Sequence, residues 1–417
     1  MIAIALQRIG RPSAAIVAVL AGLVGWLAGG RVCRASGFLI YDLSGEAIGR
    51  ASAVTAGINE PAAVWFNPAA LSFMKGESAS VGGVFVTARS RFSPADGGPD
   101  TNSDRGNFVL PTIFASGTIN DRLAVGMGVY TAFGIGIRWP DDWAGRQNAI
   151  AASLQTLAFN PTLSVKLHRM FSLAVGFDAI RGSVDFTTGL PTIIGGDVRL
   201  AGGAWGYGFN VGALIRPVPE RFQIAVTYRS RVAMHFDDGQ ADFSPAHPEF
   251  IPQLPDQSGS AAITLPDIIT AGVMGRPIPT LTLSLDANLV LWTTYQKIEI
   301  KFVQAPQRTL EPDGRNTVTL RAGAEWATPV PGFMIRGGVI YDRSAVQGEG
   351  LGPGLPDATR LDLALGVGFG RGHLRADLGY LLVYFLPADA VGGRESPEGT
   401  YRSLAHLLGL TLAASWR

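Results

Sequence analysis

The chain has 417 residues, a net charge of +1, and only 16% charged against 47% hydrophobic residues. So balanced a charge leaves no acidic or basic field of the kind that binds nucleic acid. The mean hydropathy of +0.23 is apolar for a soluble protein, yet beyond residue 35 no run reaches the roughly 18 apolar residues of a membrane helix. An apolar average without long apolar runs fits alternating strands with one greasy face.

Residues 1–35 read as a secretory signal peptide that is cleaved. Arg8 and Arg11 supply a basic start, Ala14 to Ala28 an apolar core, and Cys33-Arg34-Ala35 small residues at the cleavage positions. The alternative is a single membrane anchor, against which the short core and the small-residue pattern both stand. Cys33 is the one cysteine. Cleavage after Ala35 leaves no disulfide, thiol nucleophile or thiolate metal site.

Residues 36–75 are irregular and rich in small residues, and they close on Asn67-Pro68-Ala69. They read as a plug or hatch. Residues 76–417 then carry strand patterns to the end. From Arg122 to Arg138, Leu123, Val125, Met127, Val129, Phe133, Ile135 and Ile137 occupy odd positions, with Gly and Ala mostly between. Period two makes one face large and apolar and the other small. The expected fold is all-β, an antiparallel transmembrane barrel of about fourteen strands, since such barrels have even counts.

The strands are expected near 77–92, 106–119, 122–138, 151–167, 170–185, 198–216, 220–236, 261–275, 279–302, 316–328, 332–344, 358–370, 373–386 and 402–416. Their connections alternate long and short, as outer loops and periplasmic turns do. Trp139, Trp143, Trp292, Tyr295, Tyr384 and Trp416 lie near strand ends and are expected to form an interfacial girdle. Asn160-Pro161 falls inside the fourth strand, where proline cannot pair normally, so a bulge or break is expected. An exported chain with this composition belongs in the outer membrane of a Gram-negative bacterium, as a multi-pass protein in contact with outer-membrane lipid.

The small-residue segment, Asn67-Pro68-Ala69, the block Asp121–Tyr130 with Trp143–Arg146, Phe159–Thr162, Ala174–Phe177 and His406–Leu410 together resemble the FadL-type outer-membrane transporters of long-chain fatty acids and other hydrophobic compounds. The resemblance covers essentially the whole mature chain. It implies a monomeric barrel of fourteen strands, plugged by an N-terminal hatch. It also implies passive transport: a hydrophobic small molecule lands among the outer loops, enters a pocket in the barrel, and leaves sideways where the third strand kinks. Thr131, Ala132, Phe133, Gly134, Ile135 and Gly136 fall at that kink, and two glycines there tolerate strained backbone. Asn67, Pro68 and Ala69 would then latch the hatch onto the bent strand, the asparagine amide satisfying open backbone groups.

Apolar residues in the outer loops are expected to form a ligand groove: Leu190, Ile193, Ile194, Phe236, Phe243, Phe250, Ile251 and Leu254. Charges at lumen-facing positions should point inward, because at the bilayer midplane they would cost roughly 2–4 kcal/mol each. Among them Arg321, Arg360 and Arg375 could pair with a ligand carboxylate, or with the neighbouring acids instead. The five histidines have no metal-like spacing, and no G-x-S-x-G elbow occurs. The expectation is therefore no enzyme, no catalytic or metal site and no cofactor. Long-chain fatty acids are the first ligand class expected. Aromatic hydrocarbons by the same route, or a polar-solute porin, are the alternatives.

Overall fold

A computed structural model describes residues 37–346, 348–393 and 396–416. The expected signal peptide lies outside the described residues. Fourteen antiparallel strands close into one barrel. They are β1 (Glu77–Pro94), β2 (Gly106–Thr118), β3 (Leu123–Tyr130 and Gly134–Arg138), β4 (Ala151–His168), β5 (Phe171–Gly189), β6 (Gly196–Val218) and β7 (Phe222–Arg229 and Val232–Pro245). They continue as β8 (Gln257–Leu265 and Asp267–Ile278), β9 (Leu281–Leu291 and Ile298–Phe302), β10 (Thr317–Ala327), β11 (Phe333–Asp342), β12 (Arg360–Arg371), β13 (Leu374–Phe385) and β14 (Glu398–Trp416). Closure runs from Glu77↔Trp416 to Pro94↔Gly399. Among the described residues no helix is long and apolar enough to cross a membrane; the chain crosses with strands.

Alternation sets the two faces. Val81, Phe85, Val175, Phe177, Leu363, Leu365, Leu408 and Leu410 point outward and stay exposed as an apolar band, the face that meets lipid. The inward positions are small because other chain lies against them. Residues 37–75 are largely buried and touch the inner wall closely: a Cβ on Gly366 would sit 2.6 Å from Gly49 Cα, and one on Gly338 2.7 Å from Ala51 Cβ. Polar groups of this segment are met by the wall as well. Gly45 N donates to Thr411 Oγ1 at 2.9 Å, Thr55 N to Asp286 Oδ2 at 2.9 Å, and Arg50 Nη2 to Ser284 Oγ at 2.7 Å.

Of four details, three differ from expectation and one bears it out. First, β7 runs on to Pro245 and β8 starts at Gln257, so the connecting loop is shorter than residues 237–260. Second, Asn160-Pro161 makes the expected local break, and not a bulge: neither residue has a partner in the ladder with β5, whose register is the same on both sides, at Phe159↔Ala179 and Thr162↔Gly176. Pro161 has no N–H to offer, and the Asn160 side-chain amide donates to Phe177 O at 2.9 Å in its place. Third, Trp139, Trp143 and Trp292 form no girdle. They are buried in the core, with Trp139 and Trp143 stacked at 4.6 Å, while Tyr384 and Trp416 are exposed.

The fourth concerns β3. Tyr130 pairs with Ala158, and Gly134 with Gln155. Four steps on β3 thus match three on β4, which is one extra residue and a bulge. A slip of one residue exchanges the faces of everything beyond it. Ile135, paired with the buried Leu154, therefore faces the lumen, and Ile137 follows it. These two residues do not share a face with Val125 and Met127, although their numbering says they should.

Candidate functional site

The bulge also parts β3 from β2. Lower β3 pairs with β2 up to Val129↔Ile113, but Gly134–Arg138 pairs with β4 alone. Opposite it, Gly106 to Thr112 of β2 pairs with β1 alone. Pro111 sits in that stretch, where an edge strand tolerates it. The result is a window in the wall, closed above by the bond from Asp104 N to Arg138 O at 2.8 Å. The Phe108 ring reaches across it against Gly136, which has room for the ring only because it lacks a Cβ.

The open backbone at the bulge is satisfied from inside. Ile40 N donates to Ala132 O at 2.8 Å, and Gly134 N to Phe38 O at 3.0 Å, around a bridge between Leu39 and Phe133. Phe133 N donates to Thr156 Oγ1 at 3.2 Å, and that hydroxyl donates to Phe133 O at 2.7 Å. Each such group left dry in a membrane costs several kcal/mol. The Phe38 ring then packs edge-on against Phe133, Trp292 and Tyr295, with centroids 6.1, 4.8 and 5.2 Å away.

This arrangement corrects the expected latch. The hydrogen bonds described for Asn67 do not reach the bulge. Its amide donates to Thr55 O at 2.9 Å and its Oδ1 accepts from Ala69 N at 3.1 Å, capping the 3₁₀ turn Pro68–Phe73. Ala69 O accepts from Ser172 Oγ at 2.7 Å and from Ser164 Oγ at 3.3 Å. The Asn-Pro-Ala turn is held on β4 and β5, and the residues at the bulge are Phe38, Leu39 and Ile40. Their apolar sequence gives no sign of this, because the contact is through backbone.

Two cavities meet at Phe38, Ile135, Leu154 and Leu355, which line both. The upper one, of about 180 Å³, is walled by Phe186, Leu200, Phe236, Ile263, Ile298 and Ile300, and no charged side chain lines it. The larger one, of about 670 Å³, is lined from inside by Leu39, Ile40 and Ile137, and also by the outward-facing Val109, Gln155 and Arg181. Because both faces of the wall contribute, this cavity runs through the window.

The expected groove residues do not gather around these cavities. Phe236 lines the upper one, from β7 rather than from a loop. Phe243 is also on β7 and packs on Phe302 at 5.8 Å. Phe250 and Ile251 lie in the turn Pro248–Gln253 with Leu254 just after it, and Leu190, Ile193 and Ile194 lie in the loop between β5 and β6. The three candidate arginines are engaged by the protein's own acids, which removes them as ready partners for a ligand carboxylate. Arg321 pairs with Asp42 at 3.5 Å, Arg360 with Asp342 at 2.8 Å, and Arg375 with Glu46 and, at 2.8 Å, Asp377. Asp377, two residues from Arg375, is one of the neighbouring acids expected from sequence, whereas Asp42 and Glu46 come from the distant N-terminal segment. In the loop before β12, burial pushes the Asp357 carboxyl up to about 7.

A closed barrel with an outward apolar band and a lumen filled by its own N-terminal segment defines a class of outer-membrane transport proteins. The chain belongs to the family described as outer membrane protein transport protein (OMPP1/FadL/TodX), whose model matches residues 27–391. It is 23% identical over 363 residues to the long-chain fatty acid transport protein of Salmonella typhi, covering 79% of this chain and 83% of that one. In fold it is similar to a FadL homologue of Pseudomonas aeruginosa, with a TM-score of 0.81 at 20% identity over 92% of this chain and all of the other. It is also similar to the toluene transporter TodX of P. putida, with a TM-score of 0.72 at 14% identity over 92% and 99%. The protein is thus a multi-pass protein of the Gram-negative outer membrane, in a family that transports hydrophobic compounds.

Proposed function

We propose that the protein carries hydrophobic molecules passively across the outer membrane and releases them sideways through the β2–β3 window. Residues 36–75 act as the hatch. Phe38, Leu39 and Ile40 hold its leading end on the bulge, so movement of that end joins the upper cavity to the larger one. The protein works as a monomer and performs no chemistry on its cargo. The observation that carries this reading is the larger cavity, lined by both faces of the wall.

Long-chain fatty acids are the first ligand class, as the name of the Salmonella relative suggests. The uncharged lining of the upper cavity favours a second reading, a neutral molecule such as an aromatic hydrocarbon. Uptake of labelled oleate and of labelled toluene by cells lacking their own transporter tests both. Expression of the chain should raise uptake of at least one. Uptake of neither, or a large steady conductance of the intact protein in planar bilayers, would overturn the reading in favour of a porin or an inert barrel.

A further inference from the structure

The cavity that runs through the window changes its charge from one end to the other. On the lumenal side it is lined by Asp42, Asp357 and Asp362, with Arg360 among them. Each acid is held by the protein itself. Asp42 pairs with Arg321 at 3.5 Å, Asp357 accepts from Ala345 N at 2.7 Å, and Asp362 pairs with Arg360 at 3.6 Å. On the lipid side the charged lining is Arg89 and Arg181, and among the described residues no acid lines that mouth.

Arg89 stands on β1 and Arg181 on β5, so the two flank the gap between β2 and β3. Both are exposed. Arg89 shares the outward face of β1 with Phe85, and Arg181 that of β5 with Phe177. An arginine is costly on the lipid face at the bilayer midplane and tolerated near the interface. Its neighbours place Arg181 at that level: Trp205, its partner in the ladder, and Tyr207 are 49% and 62% exposed, as aromatic residues of an interfacial girdle are. Among the described residues neither guanidinium forms an ion pair. Asp185, four residues along β5 from Arg181, is taken by Arg199 at 2.5 Å, and Asp100 is held by Arg91 at 3.2 Å. Below the mouth, Val109 and Ile113 of β2 are 69% and 52% exposed and form an apolar track toward the membrane centre.

This layout fits an amphiphile with an anionic head. The tail can follow the apolar track while the head stays at the level of the arginines, whose forked donors match a carboxylate. Inside the wall the same head would lie beside three acids, so the charges favour its outer position. A neutral head would gain from neither end. We propose, within the sideways route argued above and for its first ligand class, that Arg89 and Arg181 receive the carboxylate of a long-chain fatty acid as it leaves the window, and that they favour release of the acid over release of the matching alcohol.

The test uses the full chain in cells that lack their own transporter, with labelled oleate and labelled oleyl alcohol, which differ only in the head. Uptake is read at alkaline pH, where the acid is ionised. Arg89→Gln combined with Arg181→Gln should lower the ratio of oleate to oleyl alcohol uptake about tenfold, the size of one charge-assisted hydrogen bond. Arg89→Lys combined with Arg181→Lys keeps both charges and should recover most of the ratio. An unchanged ratio in the glutamine pair overturns the assignment, as does an equal drop in the lysine and glutamine pairs, which would mean shape rather than charge. If the glutamine pair keeps its ratio while the purified protein loses bound lipid phosphorus, the arginines hold the phosphate of a membrane lipid and not the cargo. Uptake of neither probe by the wild type would sink the route itself. Uptake of both, with a ratio that the glutamine pair leaves unchanged, sinks only the role of the arginines.

Discussion

Two of the seams in the barrel wall begin alike but end differently. Between β2 and β3 the ladder stops above Ile113↔Val129. Between β6 and β7 it stops above Asn210↔Arg229 and resumes only at Ala201↔Gln240. The second seam is packed shut: Val232, Met234 and Phe236 of β7 are buried behind it. The inner face of β6 makes room for them, since a Cβ on Gly206 would lie 2.5 Å from Val232 Cγ1 and 3.0 Å from Met234 Cγ. At the first seam a single ring, Phe108, crosses the gap and a cavity of about 670 Å³ runs past it. A broken ladder therefore does not by itself make a port. What decides is how much side chain is packed behind the break.

The largest expected effect comes from healing the first seam. Deleting Ala132 removes the extra residue, leaves Ile135 and Ile137 facing the lumen opposite Leu154 and Ala152, and lets upper β3 pair with β2. Uptake of the labelled cargo should fall to the level of cells without the protein, while the barrel still folds and migrates as a compact species. Undiminished uptake by a folded deletion variant would show that the window is not the route. The second seam can be loosened instead. Met234→Ala empties a fully buried site and should lower stability by about 2–5 kcal/mol in urea unfolding; an unchanged midpoint would mean that packing does not seal this seam. The smallest effect is expected at the capped turn. Asn67→Ala should cost about 1 kcal/mol through the lost cap and leave the uptake rate as it was. A loss of uptake with a stable barrel would return Asn67 to the role of a latch on β3.

Much of this architecture is written in the sequence. Alternation places the strands within a few residues, because each strand must turn one face to lipid and the other to a packed lumen. The bulge is not written there. Phe133, Ile135 and Ile137 keep the odd numbering of Leu123 to Val129, and only the backbone count against β4 shows that the faces have exchanged. The tryptophans mislead for a related reason: a place near the end of a strand says nothing about which side of the wall the ring takes. Asn67 misleads because its dipeptide is legible as a turn, but its hydrogen-bond partner, Thr55 O, is set by tertiary contact. Arg321 and Arg375 pair with Asp42 and Glu46, far away in the chain, which spacing does not reveal, whereas Arg360–Asp362 and Arg375–Asp377 lie two residues apart on one strand.

The bulge at residues 131–133 has a consequence for how such a protein can change over generations. Substitutions adjust the lining of an opening by degrees, but the window here depends on a count of residues, which has no intermediate values. Gain or loss of one codon in this stretch would open or close the β2–β3 window in a single event, with every other side chain of the barrel left as it was. Descendants of one ancestral barrel could therefore divide abruptly into leaky and sealed lineages, and insertions and deletions in the third strand would be the record to read.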